Sequence, residues 1–170
     1  MTERLLSRYF KHEEINGAGR CPTYLHRWTL FQPRRPKALW RGFGIYLHKF
    51  VGDDWSRDLH DHPKRFISIG LKGAYVERYV DGTMTVQHSL GPITKQRECE
   101  RIYRAPWVRT FPASHIHRLR LLQDNRPCWT LVIVLRSVRE WGFWNMGRFI
   151  PWREYVAPGN ATANARKACL

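Results

Sequence analysis

The sequence predicts an all-β domain, built as a small antiparallel barrel or jelly roll. From Tyr24 onward, apolar residues recur with the period of two that is typical of strands. These alternating runs are short, and turn-forming residues separate them at close spacing. Long helical stripes are absent from this part of the chain. Many short strands of this kind favour a closed or double-sheet β architecture.

The N-terminal segment differs from the rest, and residues 3–14 are predicted to form a short helix. Thr2 can cap its N-terminus. One apolar stripe, which would pack against the body of the domain, consists of Leu5, Leu6, Tyr9 and Phe10. We therefore assign residues 1–20 to an N-terminal helix and arm, 21–156 to the barrel, and 157–170 to a flexible tail of mostly small residues.

The barrel strands are predicted from the alternation. They lie at residues 23–31, 44–51, 107–111, 115–122 and 128–136. The last of these is apolar on both faces, which favours burial on both sides. A further hairpin at 141–147 is predicted to turn between Asn145 and Gly147, and residues 150–156 complete the ordered part.

Another hairpin is predicted at Asp81-Gly82, which stands between two alternating runs. A two-residue turn at this point would place Tyr75 opposite His88. Residues 89–104 are polar and charged, and are interpreted as a connecting segment.

In this register, one aromatic-rich face of the hairpin points inward. It consists of Tyr75, Glu77, Tyr79, Met84, Val86 and His88. A buried Glu77 needs a partner to offset its desolvation, and a metal ion or a histidine would provide one.

The net charge of +15 is the one compositional extreme. It is compatible with nucleic acid, anionic lipid or an anionic small molecule as a partner. Arg and Lys are nevertheless dispersed through the chain, with no basic helix or stripe, so a solvated surface explains them and nucleic-acid binding ranks last.

The four cysteines show no paired spacing and are expected to be free thiols. The sequence has no apolar run long enough to span a membrane and no secretory leader. We therefore expect a cytoplasmic protein without a membrane partner.

Two histidines separated by one residue, His60 and His62, would lie on the same side of a strand. Two imidazoles on one face can hold a metal ion if a third ligand arrives from elsewhere in the fold. His117 is the candidate for that third ligand.

The stretch from His60 to Gly73 resembles the first motif of the cupin superfamily. That motif is histidine, any residue, histidine, three or four residues, glutamate, six residues and glycine. His60, His62 and Gly73 match it, and Phe66 stands at the glutamate position.

The second cupin motif is proline, any residue, glycine, two residues and histidine. Pro112 and His117 match it, and Ser114 replaces the glycine. The resemblance covers about residues 24–156 and implies a double-stranded β-helix with a mononuclear metal site facing the barrel interior.

Because Phe66 replaces the glutamate, the chain is similar to the three-histidine branch of the cupins. That resemblance implies one divalent ion, with Fe(II) favoured over Zn, Ni, Mn or Cu. Glu77 or His115 is open as an additional ligand. Phe66, Tyr75 and His88 are the residues that we expect to face a substrate.

The leading functional hypothesis is a non-haem Fe(II) dioxygenase that acts on a small anionic or thiol substrate. Two alternatives stay open, a non-catalytic ligand-binding or sensory cupin and a metal-independent sugar-nucleotide isomerase. Cupins frequently dimerise, so a homodimer is a further expectation.

Overall fold

The computed structural model describes residues 3–16, 22–34, 41–56, 58–122 and 126–157. It confirms the predicted fold class, since the chain forms two antiparallel sheets of six strands each. The predicted helix cap at Thr2 and nearly all of the predicted C-terminal tail lie outside the described residues. The two helices in the described ranges have seven and five residues, and neither is long enough to cross a membrane.

The elements follow one another in this order: α1 (Glu3–Tyr9), β1 (Lys11–Asn16), β2 (Thr23–Phe31), β3 (Gly44–Phe50), β4 (Leu59–His60), β5 (Lys64–Lys72), β6 (Ala74–His88), β7 (Gly91–Arg104), β8 (Trp107–Phe111), β9 (His117–Leu121), β10 (Cys128–Ser137), β11 (Gly142–Asn145), β12 (Arg148–Pro151) and α2 (Trp152–Val156).

Each sheet mixes strands from distant parts of the sequence. The first sheet, which we call the N-sheet, has the order β1-β2-β3-β10-β5-β8, and the second, the H-sheet, has the order β12-β11-β4-β9-β6-β7. Alternate residues of each strand point to the space between the sheets, as the strand period requires.

The core lies between the sheets and at one end of the H-sheet. Tyr75, Leu121 and Cys128 form one buried cluster, in which residues of both sheets meet. Phe143 and Tyr155 form the other, where α2 packs against β11. Their rings stack with centroids 3.8 Å apart. Burial of such aromatic surface is a main source of the stability of a small β domain.

The predicted helix at residues 3–14 is wrong in its second half. α1 ends at Tyr9, and Lys11–Asn16 forms β1, which pairs with β2 at the edge of the N-sheet. Of the predicted apolar stripe, Leu6 is buried whereas Tyr9 is 69% exposed. Pairing with an available sheet edge satisfies the backbone groups of this segment better than one more helical turn without an apolar face.

The predicted hairpin turn at Asp81-Gly82 is also wrong. β6 runs through this point to His88, and the chain turns at residues 89–90 to enter β7. Asp81 and Gly82 instead form a bulge, in which Gly82 adopts a φ of +81°. Residues 89–104, interpreted from the sequence as a connection, therefore lie almost entirely in a strand.

The bulge changes which residues of β6 face the core. Before it, Tyr75 and Glu77 are buried as predicted, with exposures of 3% and 0%. Beyond it, Met84 is 43% exposed and His88 is exposed. Among the strands that the structure describes, the second half of β6 pairs only with β7, and its residues 81–88 are exposed except for the partly buried Val86.

Gly70 is required where β5 passes under an aromatic ring. A Cβ atom built on Gly70 would lie 2.3 Å from the ring of Trp107, its neighbour on β8. The ring of Trp107 in turn packs edge-on against Tyr75. An added methyl group would have to displace a ring held by the core.

We predict that Gly70→Ala lowers the free energy of unfolding by about 1–3 kcal/mol, because the new methyl group overpacks the contact with Trp107. Gly52→Ala is the matched control, since its Cβ would lie at an ordinary 3.5 Å from Tyr24. Urea unfolding of both variants measures the difference. Equal effects of the two substitutions would contradict this account.

Candidate metal centre

Three histidines converge on one point of the H-sheet. His60 ends β4 and is the register partner of His117, the first residue of β9. His62 follows in the loop before β5. One ring nitrogen from each lies within 4.8 Å of the others, and the Nε2 atoms of His62 and His117 are 2.7 Å apart. The structure thus brings together the three residues predicted from the sequence.

Asp61, between the first two histidines, fixes the loop that carries them. Its side chain is fully buried and accepts hydrogen bonds from the Gly142 N–H at 2.9 Å and the Trp144 Nε1–H at 3.2 Å. Arg139 Nη1 lies 2.8 Å from the same carboxylate. Sequence reasoning missed this role, although a carboxylate between two histidines was visible.

Glu77 lies behind His117 and orients its ring. The His117 Nδ1–H donates to Glu77 Oε1 at 2.6 Å, and this leaves Nε2 to face His62. A carboxylate on the far nitrogen sets the tautomer and raises the basicity of an imidazole ligand. Buried Glu77 thus has a histidine partner, one of the two kinds of partner predicted from the sequence. Its carboxylate lies at the Nδ1 side of the His117 ring, away from Nε2.

Two more donors complete the shell around Glu77. The His115 Nε2–H donates to Oε1 at 2.9 Å, and Arg109 Nη1 donates to Oε2 at 2.6 Å. Burial alone would raise the pKa of Glu77, but the hydrogen bonds from the two histidines and the charge of Arg109 lower its pKa below the ordinary value. Glu77 is thus a carboxylate anion.

A second group of possible ligand atoms, which consists of Glu77, His115 and His117, shares His117 with the first. The Arg109 guanidinium already occupies one oxygen of its carboxylate. A divalent ion at that place would meet a fixed positive charge at close range. The first group, which we call the three-histidine centre (His60, His62 and His117), contains no carboxylate, so none of its ligand atoms is already paired with a guanidinium.

A third group lies on the outer face of the N-sheet and consists of His12, Glu14 and His26. The rings of His12 and His26 are stacked nearly parallel to each other, and both stack on Trp28. The Nε2 of His12 and the Nδ1 of His26 lie 3.2 Å apart, Glu14 is exposed, and none of the three residues lines the cavity described below.

Phe66 forms an apolar wall at the position where the cupin motif has glutamate. Its ring stacks on Phe111, with centroids 4.5 Å apart, and meets His62 edge-on at 4.8 Å. The three-histidine centre is therefore bounded on this side by hydrocarbon instead of a fourth ligand.

The centre opens into a cavity of about 410 Å³ between the two sheets. Its lining is mostly apolar, with a few polar and charged side chains, which is typical of small-molecule sites. Residues from both sheets contribute, including Leu25, Arg27, Tyr46, His48, Phe50, Asp54, His60, His62, Lys64, Phe66, Tyr75, His117, Thr130 and Phe143.

The cavity includes two of the three residues expected to face a substrate, Phe66 and Tyr75. His88 does not reach it, because the prediction depended on the misplaced turn. It lies at the exposed end of the long hairpin, next to Ser89. His48 lines the cavity, although a lone histidine in a predicted strand gave no reason to select it.

Three histidines that line the cavity, His48, His60 and His62, are held in the neutral form. Burial lowers the pKa of His60 to about 4, against an opposing effect of Asp54, and lowers the pKa of His62 well below the ordinary value. Burial and the charge of Arg27 lower the pKa of His48 to about 3. Neutral imidazole is the form that can donate a lone pair to a metal ion.

No protein-family model matches the chain, and no curated protein matches its sequence. Among solved structures, the chain is similar to a cupin-2 domain protein from Rhodospirillum rubrum, with 13% identity, 81% of this chain and 76% of that chain covered, and a TM-score of 0.51. It is also similar to Fe(II)-HppE with the alternative substrate (S)-1-HPP, with 10% identity, coverages of 74% and 56%, and a TM-score of 0.50.

Oxalate decarboxylase from Bacillus subtilis gives 12% identity, coverage of 75% of this chain and a TM-score of 0.48. The chain spans only about a quarter of the length of that enzyme, 27%. The likeness to the cupin-2 domain protein shows that the chain has the cupin fold.

We predict that His48 makes stability fall as the pH is lowered. Its folded pKa of about 3 lies below the ordinary value of 6.5, so the unfolded chain binds the proton more readily. The stabilisation is complete above pH 6.5 and is lost as the pH falls toward 3, with about 2 kcal/mol lost near pH 5. Urea unfolding of wild type and His48→Gln, above pH 6.5 and at pH 5, measures this loss of stability. An unchanged pH dependence in the variant would contradict the assignment.

Proposed function

We propose that this cupin-fold chain binds one divalent metal ion at the three-histidine centre and acts as a non-haem Fe(II)-type dioxygenase on a small anionic or thiol substrate. The observation that carries the proposal is the convergence of three ring nitrogens within 4.8 Å at the wall of a cavity. One of these ligands, His117, also donates a hydrogen bond from Nδ1 to the buried carboxylate of Glu77.

The residues fit such an ion. Three imidazole nitrogens suit Fe(II), as well as Zn, Ni, Mn or Cu, and a set of three ligands on one face leaves coordination positions free. Fe(II) at this point would supply the redox chemistry with dioxygen that the protein side chains lack. The Fe(II) named for HppE supports this choice of metal.

Neighbouring residues hold the three histidines in place and shield the centre from water. Glu77 keeps a proton on His117 Nδ1 and so directs the Nε2 lone pair into the cavity. Asp61 holds the loop of His62 from the opposite side. The rings of Phe66 and Phe143 exclude water from the space beside the ligands, which strengthens electrostatic interactions there.

The charge of the centre favours an anionic substrate. Three neutral histidines leave the full charge of a divalent ion uncompensated, because Phe66 replaces the acidic ligand. Glu77 is already neutralised by Arg109 at 2.6 Å. A carboxylate or thiolate entering the cavity would supply the missing negative charge.

We predict that the purified protein holds about one equivalent of metal and that His62→Ala and His117→Ala reduce this content to about a tenth or less, since two imidazoles bind divalent ions far more weakly than three. His88→Ala is the matched control, because His88 is exposed and outside the cavity. Elemental analysis of the protein purified without added metal measures the content. Equal content in all variants would overturn the proposed centre.

We further predict that Glu77→Gln weakens metal affinity by about 10–100-fold, because the amide no longer supports the His117 imidazole as a carboxylate does. Glu98→Gln, which removes a carboxylate from an exposed pair with Arg78 on the same hairpin, should leave affinity unchanged. Competition with a chelator gives the affinities, and circular dichroism checks folding. Wild-type affinity in Glu77→Gln would refute the role of Glu77.

A further inference from the structure

The wall of the cavity opposite the three-histidine centre carries a polar row on the N-sheet. Arg27, His48 and Thr130 are register neighbours on β2, β3 and β10. Residues in register point to the same face of a sheet, and all three line the cavity. The polar row is thus built from two consecutive strands, β2 and β3, and from β10, which comes much later in the sequence.

Two members of the polar row have buried polar atoms that lack a partner. Within the described part of the chain, neither His48 Nε2 nor Thr130 Oγ1 makes a hydrogen bond. Thr130 is only 1% exposed. Buried polar atoms are nearly always bonded, and each unmade bond costs about 1–3 kcal/mol. These two register neighbours can therefore both donate to a ligand with two acceptors when His48 carries its proton on Nε2.

Two cationic side chains line the cavity with the polar row: Arg27, which is ion-paired with Glu13, and Lys64. Glu13 accepts from Nε and Nη2 of Arg27, at 3.1 and 2.9 Å, and so fixes the guanidinium, which has further N–H donors. Lys64 also lines the cavity and donates to the Gly42 carbonyl at 2.8 Å. Among the cavity-lining residues that the structure describes, Asp54 is the one carboxylate, and it lies on the other side, 3.9 Å from His60.

We infer that the polar row binds the carboxylate of a small organic acid, whose apolar body crosses the cavity toward the three-histidine centre. One carboxylate oxygen would accept from the Thr130 hydroxyl and the other from His48, in its Nε2–H tautomer, beside the remaining N–H donors of Arg27. That this acid is also the substrate rests on the proposed function. The polar row itself belongs to the other sheet and does not depend on a metal.

The apolar lining determines the kind of acid. Leu25, Phe50 and Val132 flank the polar row, and Tyr75 faces it from the H-sheet. A ring with a short carboxylate arm would place its charge on the polar row and its ring among these side chains. Phenylacetate has this shape, and phenylacetamide is its neutral equivalent.

Calorimetric titration of the metal-loaded protein with phenylacetate and phenylacetamide tests the inference. We expect the acid to bind at least about tenfold more tightly than the amide. Thr130→Val, which keeps the shape but removes the hydroxyl, and His48→Leu should each remove most of this preference, whereas Thr130→Ser should retain it. Thermal melts of each variant check the fold.

Absence of a preference for the acid in the wild-type protein, or an undiminished preference in both Thr130→Val and His48→Leu, would overturn the inference. Competition by inorganic phosphate at the same concentration would overturn the choice of a carboxylate. The His62→Ala variant separates the two proposals. A preference for the acid that persists there supports the polar row whatever the metal content shows, and bound metal without such a preference supports the metal centre alone.

Discussion

The hydrogen-bonded shell of Glu77 is the interaction on which the centre depends. A fully buried carboxylate receives bonds from His115, His117 and Arg109, which come from β8, β9 and the loop between them. An isolated charge could not be buried at this depth without a large loss of free energy. Its neutralisation holds β6, β8 and β9 in one arrangement and thereby aims the His117 ring.

The two sheets contribute different kinds of side chain to the cavity. The H-sheet and the loop that follows β4 carry the nitrogen ligands and the acidic residues that orient them, Glu77 and Asp61. The N-sheet carries neutral and cationic hydrogen-bond donors, represented by Thr130 and Arg27. A molecule bound between them would meet a metal-binding face and a carboxylate-binding face at opposite ends.

The sequence predicts what depends on local spacing and misses what depends on distant register. His60 and His62 are detected from their spacing, although the predicted shared strand is wrong, since β4 ends at His60 and His62 lies in the loop that follows. His88 is misplaced because Asp81-Gly82, a strong turn signal, is used as a bulge in a longer strand. His48 is not selected because its neighbour Thr130 lies 82 positions later in the chain (130 − 48).

The two faces lie on different sheets, and this affects how their sequences can change in evolution. β3 and β10 pair with each other within the N-sheet and share no strand pairing with β4 or β9. β10 also pairs with β5, the strand that follows the His62 loop, but Thr130 lies opposite Gly70, near the far end of that strand. Substitutions at positions 48 and 130 can therefore alter which molecule is held without disturbing the strands that carry the metal ligands. Selection could diversify ligand preference on one sheet while the other stays fixed, so related chains with the same three histidines need not share a substrate.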